Sequence, residues 1–202
     1  MAAPHLYHDS DGEPARQHGF AVVLSAPSGG GKTTILRHLL ATGDPQFQYS
    51  VSATTRPPRA GERQGLDYHF ISLEEFHRRV AAGEFIESAR VHGNFYGTPS
   101  AAVKQWLAQG KIVLLDLDVQ GGLNVKQQMG ECAVLIFIQP PSPEALRERL
   151  HFRNTDKPED IASRLHTARE EMQQAQLYDH VVVNRDVADT VQQVREIINQ
   201  YR

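Results

Sequence analysis

Residues 20–33 read Phe20-Ala21-Val22-Val23-Leu24-Ser25-Ala26-Pro27-Ser28-Gly29-Gly30-Gly31-Lys32-Thr33. The succession within them, apolar run, turn formers, then Lys-Thr, sets the architecture. A short continuous apolar run ended by Pro and three glycines reads as a buried strand entering a tight loop. Ile35, Leu36, Leu39 and Leu40 then recur at helical spacing, and Gly43 supplies the stop. A Gly-rich turn between strand and helix is where the phosphate-cradling pattern G-x-x-x-x-G-K-S/T belongs, with Ala26 standing at its first position. The glycines let backbone N–H groups converge on phosphate oxygens, and the helix adds its positive N-terminal end. Lys32 is placed to neutralise β- and γ-phosphate charge, and Thr33 to ligate Mg²⁺. The pattern therefore predicts a bound nucleoside triphosphate and leaves the acceptor open.

Outward from this loop, apolar runs at 112–117, 134–138 and 181–183 predict further strands covered on both faces. Helical patterns lie between them. One follows Pro99 and carries Val103, Trp106 and Leu107; one opens at Ser142-Pro143 and carries Leu146 and Leu150. A longer one opens at Pro158 with Ile161, Leu165, Ala168 and Met172, and the last starts near Asp186 and is expected to bury Val191, Val194, Ile198 and Tyr201. Apolar strands alternating with helices predict an α/β fold of the P-loop NTPase type, doubly wound around a mainly parallel sheet. Residues 49–97 break the rhythm with short polar-alternating strands at 50–55, 67–71 and 85–91. A helix among them has Ser72 and Glu75 at capping-box spacing, Phe76 and Val80 as its apolar stripe, and Gly83 as its end. This region reads as a small inserted mixed α/β lobe.

Composition narrows the partners. Lys plus Arg number 21 against 24 Asp plus Glu, a net charge of −3, so no domain-wide positive field exists for nucleic acid. The chain is 40% hydrophobic and 22% charged, and its 15 Gly and 11 Pro are too few for a low-complexity chain. Cys132 is the sole cysteine, which excludes an internal disulfide, fits a reducing compartment and reads as a buried small hydrophobe. No apolar run approaches the roughly 18 residues of a membrane span. Residues 1–18 are polar, lack the apolar stretch of a secretory signal and are expected to form a disordered extension, in which His5, His8 and His18 are solvated. His38, His69, His77, His92, His151, His166 and His180 have no metal-ligand spacing.

The acceptor is to be sought in the inserted lobe. Arg56-Pro57-Pro58-Arg59 sets two guanidiniums three apart across two prolines, a preset fork suited to phosphate, with Tyr68 and Tyr96 as hydroxyl donors. Asp116 and Asp118 fall at the end of a predicted strand, the edge where α/β folds gather ligands. A role in holding Mg²⁺ through water and a role toward the acceptor are both open for them. Arg149 and Arg153 lie four apart on the helix opened by Pro143, and Arg164 on the next.

The wording SVSATTRPPRAGERQGLDYHF at 50–70, FIESARVHGNFYGTP at 85–99 and LLDLDVQGG at 114–122 resembles guanylate kinase, and the likeness runs from about residue 20 to the C-terminus. The resemblance implies ATP-dependent phosphorylation of GMP, and of dGMP, with Mg²⁺, in a cytoplasmic enzyme of purine nucleotide metabolism that recycles GMP. It implies a core of 19–48, 98–142 and 166–202, a GMP-binding lobe of 49–97, and a helical lid over about 143–165. ATP would be held by Ala26, Pro27, Ser28, Gly29, Gly30, Gly31, Lys32, Thr33 and Thr34. GMP would be held by Ser52, Arg56, Arg59, Glu62, Tyr68, Glu87, Tyr96, Gly97, Thr98, Asp116 and Asp118. Lys32, Arg56, Arg149, Arg153 and Arg164 would carry the transfer, the last three as lid arginines. No membrane or nucleic-acid partner is expected, and the oligomeric state is left open.

The chemistry of guanine agrees independently with that implication. Its N1–H and N2–H₂ donors suit Glu87, and its O6 suits a hydroxyl from Thr98 or Ser52, whereas adenine would leave these groups unpaired. Two rival readings are a guanylate-kinase-like peptide-binding module, which typically lacks an intact phosphate loop, and a kinase for a phosphorylated sugar, which would have no need of Glu87 or Thr98 for a purine.

Overall fold

All six residues of β1 (Phe20–Ser25) are buried, as a strand covered on both faces requires. A computed structural model of the chain describes residues 19–91, 93–152 and 158–202, with backbone alone for 150–152 and 158–163. The expected extension 1–18, His92 and Arg153 lie outside the described residues.

After β1 come α1 (Lys32–Ala41), β2 (Phe47–Ser50), β3 (Ala53–Thr54), β4 (His69–Phe70), α2 (Leu73–Ala81), β5 (Phe85–Val91) and β6 (Asn94–Pro99). Then follow α3 (Ser100–Ala108), β7 (Ile112–Asp116), α4 (Val119–Met129), β8 (Ala133–Gln139), α5 (Pro143–Phe152), α6 (Pro158–Gln173), β9 (His180–Val183) and α7 (Val187–Asn199). Strand order is β2-β7-β1-β8-β9 in a five-stranded sheet and β4-β3-β6-β5 in a four-stranded one. The mainly parallel α/β architecture predicted from the alternating pattern is the one found. No described helix is long and apolar enough to cross a membrane.

The chain divides into two compact units, one of Pro45–Leu115 with Asn124–Ala133 and the described part of Met1–Ala21, the other of Val22–Asp44, Asp116–Leu123 and Val134–Arg202. In the first, β2 and β7 are parallel from Phe47↔Ile112 to Ser50↔Leu115. β3 pairs parallel with β4 and antiparallel with β6, which pairs antiparallel with β5. The strand predicted at 50–55 is thus two strands. Ser50 ends β2 in the larger sheet, while Ala53–Thr54 belong to the smaller one, where Thr54 donates its hydroxyl to the Phe95 carbonyl and accepts from the Arg56 N–H. β6, absent from the sequence-based expectation, lies between β3 and β5 in that sheet and pairs antiparallel with both. Ser72 caps α2 as predicted, accepting the Glu75 N–H at 3.1 Å, and Phe76 is buried in a stack on Phe85 at 4.9 Å. Val80 is exposed rather than part of the stripe. Of the α3 stripe, Val103 and Leu107 are buried and Trp106 only half so; Cys132 is likewise half-exposed, in a 3₁₀ turn rather than the core.

In the second unit, β8 and β9 run parallel from Ile136↔His180 to Gln139↔Val183. α7 is capped by Asp186, whose Oδ1 accepts the N–H groups of Ala188 and Asp189. Its buried face, Thr190, Val194 and Ile198, belongs to a helix packed on α1, which buries Ile35, Leu36 and Leu39. Tyr201 falls beyond the last turn, exposed, its hydroxyl 2.8 Å from His180 Nε2, so it does not extend that face. Leu146 of α5 and Ala168 of α6 form a small core of their own with Leu165.

Candidate active site

In the second unit, the loop between β1 and α1 closes on itself through the Gly30 N–H donating to the Pro27 carbonyl at 2.7 Å. Gly31 lies at φ 96°, and a Cβ there would stand 2.4 Å from Asn184 Nδ2, so both conformation and space demand glycine. Ala26 fits at the pattern's first position, buried, with its Cβ against Gly30. No side chain caps the start of α1, whose first-turn N–H groups face the loop, and Thr33 and Thr34 are exposed there. A cavity of about 190 Å³ is lined by Ala26 through Thr34.

Lys32 reaches the C-terminal end of β7. Its Nζ lies 2.6 Å from Asp116 Oδ1 and donates to the Leu117 carbonyl. The neighbouring Asp118 has a different task, since its Oδ1 accepts the Gly121 N–H at 2.6 Å and fixes the start of α4. Arg149 Nη2 donates to the Asn184 carbonyl at 3.1 Å, beside Gly31. Arg164 is half-buried on α6.

Two residues beside the loop were not foreseen. Asn184, buried at the end of β9, donates from Nδ2 to the Gly30 carbonyl at 2.9 Å, accepts from Thr190 at Oδ1, and donates its N–H to the Gln139 carbonyl at 2.7 Å. Its place at a strand's C-terminal end was the available signal. Glu171 of α6 lies near Ser28, and burial, opposed by Lys32 and reinforced by Asp118, pushes its carboxyl up to about 7. An acidic residue three positions after the buried Ala168 of α6 was the signal for it.

In the first unit, Arg56 is clamped by Glu62 through both guanidinium arms, at 2.9 and 3.0 Å. Its guanidinium sits 5.4 Å from the Tyr68 ring centroid and 5.8 Å from that of Phe70, and Tyr96 meets Tyr68 edge-on at 6.0 Å. The Arg59 N–H donates to the same carboxylate at 2.7 Å, leaving the Arg59 side chain exposed. The hydrogen bond to Arg56 first, and then the Arg59 backbone, hold the Glu62 carboxyl below the usual carboxylate range; Glu62 in turn raises Arg56.

Glu87 and Thr98 are both buried, and Thr98 Oγ1 donates to Glu87 Oε1 at 2.7 Å. Ser52 is buried near the start of β3. A Cβ at Gly97 would strike the Phe85 ring at 2.9 Å, so that position is small for packing. A cavity of about 340 Å³ lies along Phe85, Glu87 and Ser88 of β5 and Asn124, Gln127 and Gln128 of α4.

The first unit thus holds a fixed guanidinium beside two tyrosines and a buried carboxylate–hydroxyl pair, and the second a glycine-lined loop at the start of α1. A family model described as guanylate kinase matches residues 19–201. The guanylate kinase of Symbiobacterium thermophilum is 49% identical over 92% of this chain and 87% of its own, and that of Gloeobacter violaceus 48% identical over 96% and 94%. The crystal structure of guanylate kinase from Anaplasma phagocytophilum superposes with a TM-score of 0.78 at 37% identity, covering 92% of this chain and 87% of that one. Sequence wording, phosphate loop and architecture therefore agree, and the chain belongs to the guanylate kinase family.

Proposed function

We propose that the chain transfers the γ-phosphoryl of ATP to GMP, and equally to dGMP, by in-line displacement in which positioning and charge cancellation replace a general base. The acceptor oxygen belongs to a phosphate already ionised near neutral pH, so no proton need be removed. What opposes the reaction is the mutual repulsion of two anions, and cations fixed in advance lower it. The intact Gly31-Lys32-Thr33 loop in a chain of this family carries the reading, because a peptide-binding module has no use for it.

Lys32 exchanges Asp116 for the β- and γ-phosphate oxygens, and Asp116 holds it aimed at the loop until then. Arg149, anchored beside Gly31, adds positive charge at the same place; Arg164 and Arg153 complete the set as lid residues. Arg56, braced by Glu62, takes the acceptor phosphate together with Arg59, Tyr68 and Tyr96. Glu87 accepts from guanine N1–H and N2–H₂. Because Thr98 gives its single proton to Glu87, it orients that carboxylate, and donation to O6 falls to Ser52. Asp118 serves by fixing the start of α4. The working division is a core of 19–48, 98–142 and 166–202, a GMP lobe of 49–97 and a lid of about 143–165, in a cytoplasmic enzyme of purine nucleotide supply.

The donor set fits Mg²⁺ arriving with the nucleotide: Thr33 offers an exposed hydroxyl, and among the described residues no group of three His, Cys, Asp or Glu could hold a metal ion unaided. Bound there, Mg²⁺ supplies charge neutralisation on the β- and γ-phosphate oxygens.

A coupled assay of ADP release with GMP, dGMP, IMP, AMP and a sugar phosphate tests the reading. GMP and dGMP should be used well, IMP poorly, AMP and the sugar phosphate hardly. Preference for AMP or the sugar phosphate overturns the acceptor assignment, and no ADP release with any of them overturns the enzyme.

Glu62→Gln should raise KM for GMP about tenfold, the equivalent of ~1.4 kcal/mol, through a loosened Arg56. KM for ATP should barely change; a matching rise there would contradict a role confined to the acceptor.

A further inference from the structure

Glu171 is half-buried on α6, three residues after the buried Ala168 and therefore on the same side of the helix. Its carboxyl lies near Ser28 of the phosphate loop. One oxygen, Oε2, is sealed from solvent without a hydrogen-bond partner, the single such side-chain atom among the described residues. Lys32 faces it from α1, Asp118 from the segment before α4 and Glu170 from its own helix, and Tyr178 lies close enough to feel its charge. Of these, the one cation is already paired with Asp116 at 2.6 Å.

A buried acceptor without a donor is costly, and its persistence at a ligand loop points to a donor that comes with the ligand. The triphosphate of ATP brings only acceptors and further negative charge to this side. Its donors are the waters of the Mg²⁺ it carries, an ion that keeps several of them when bound. We propose that Glu171 is an outer-sphere positioning residue for the Mg²⁺ of ATP, its buried Oε2 accepting from a metal-bound water. The inference rests on the reading that the loop binds Mg²⁺-ATP. It also accounts for an acid whose ionised form is disfavoured in the absence of that cation.

The test is a set of dissociation constants for a non-hydrolysable ATP analogue, measured by calorimetry on the full chain and on Glu171→Gln, each with Mg²⁺ and with a chelator. The amide keeps the side chain's size and one acceptor oxygen. Mg²⁺ should tighten binding to the unaltered chain, and the variant should lose about tenfold of that gain, as outer-sphere substitutions do. Its metal-free affinity should be equal or better, one negative charge having been removed. Equal weakening with and without metal would make Glu171 a brace for the loop, and unchanged or tighter binding in both would make it a neutral acid that Gln imitates; either result overturns the proposal. Should Glu171→Gln not fold by its thermal transition, Glu171→Asp, which keeps the charge and withdraws it by one methylene, must show the same Mg²⁺-specific loss or the proposal fails. No binding of the analogue to the unaltered chain would instead remove the ATP reading beneath it.

Discussion

Lys32→Ala is expected to lower turnover by roughly 10³-fold or more, the scale on which one phosphate-clamping cation acts. The side chain is short of alternatives. Its ammonium is held by Asp116 Oδ1 and the Leu117 carbonyl at the end of β7, so it enters the reaction already placed rather than recruited from solvent. Removing it takes away charge cancellation where two phosphates must approach, a term that grows as the transition state forms. GMP affinity should hardly move, because the contacts proposed for that nucleotide are made by Arg56, Arg59, Tyr68, Tyr96, Glu87 and Ser52. Asp116 loses its cation, and a lowered melting temperature should accompany the loss. Single-turnover kinetics with enzyme in excess, beside GMP binding by calorimetry, separate the two effects. Turnover within tenfold of the unaltered chain would deny Lys32 its role.

Glu87→Gln should reduce kcat/KM for GMP by roughly 10³-fold, within the discrimination a hydrogen-bonding site can reach. The amide turns an acceptor edge into one that also donates, facing the N–H groups of guanine. Burial makes the mismatch costly, since no water replaces the lost pairing. Thr98 would still find an acceptor in the amide oxygen, so the fold should tolerate the change better than Glu87→Ala. IMP, which lacks the 2-amino group, should lose less than GMP, and ATP affinity should stay put. Equal losses for GMP and ATP would signal damage to the structure instead of a lost base contact.

The parts of this molecule legible in the sequence are those governed by local order. The strand, glycine loop and Lys-Thr of residues 20–33 carry their structure in their spacing, and Ser72 and Asp186 cap helices where a capping residue was readable. Errors gathered where partners far along the chain decide. Residues 50–55 look continuous, yet Ser50 pairs beside Leu115 and Ala53 beside Gly97, two sheets that no local pattern distinguishes. Tyr201 continues the periodicity of α7 after its helix has ended. Glu62 could be placed near the arginines from family wording, but its two-armed hold on Arg56 is a fact of turn geometry. Asn184 and Glu171 stayed hidden because their meaning lies in what they touch, 154 residues away in the case of Asn184 and Gly30.

That last separation bears on biosynthesis. While the ribosome has delivered only the stretch up to β8, the nascent chain already owns every residue of the glycine motif, but the amide that fastens Gly30 to Thr190 and the carbonyl that anchors Arg149 are still unmade. Competence to grip a triphosphate is therefore acquired late in translation, and fragments cut before β9 would advertise the motif while lacking the means to hold its shape.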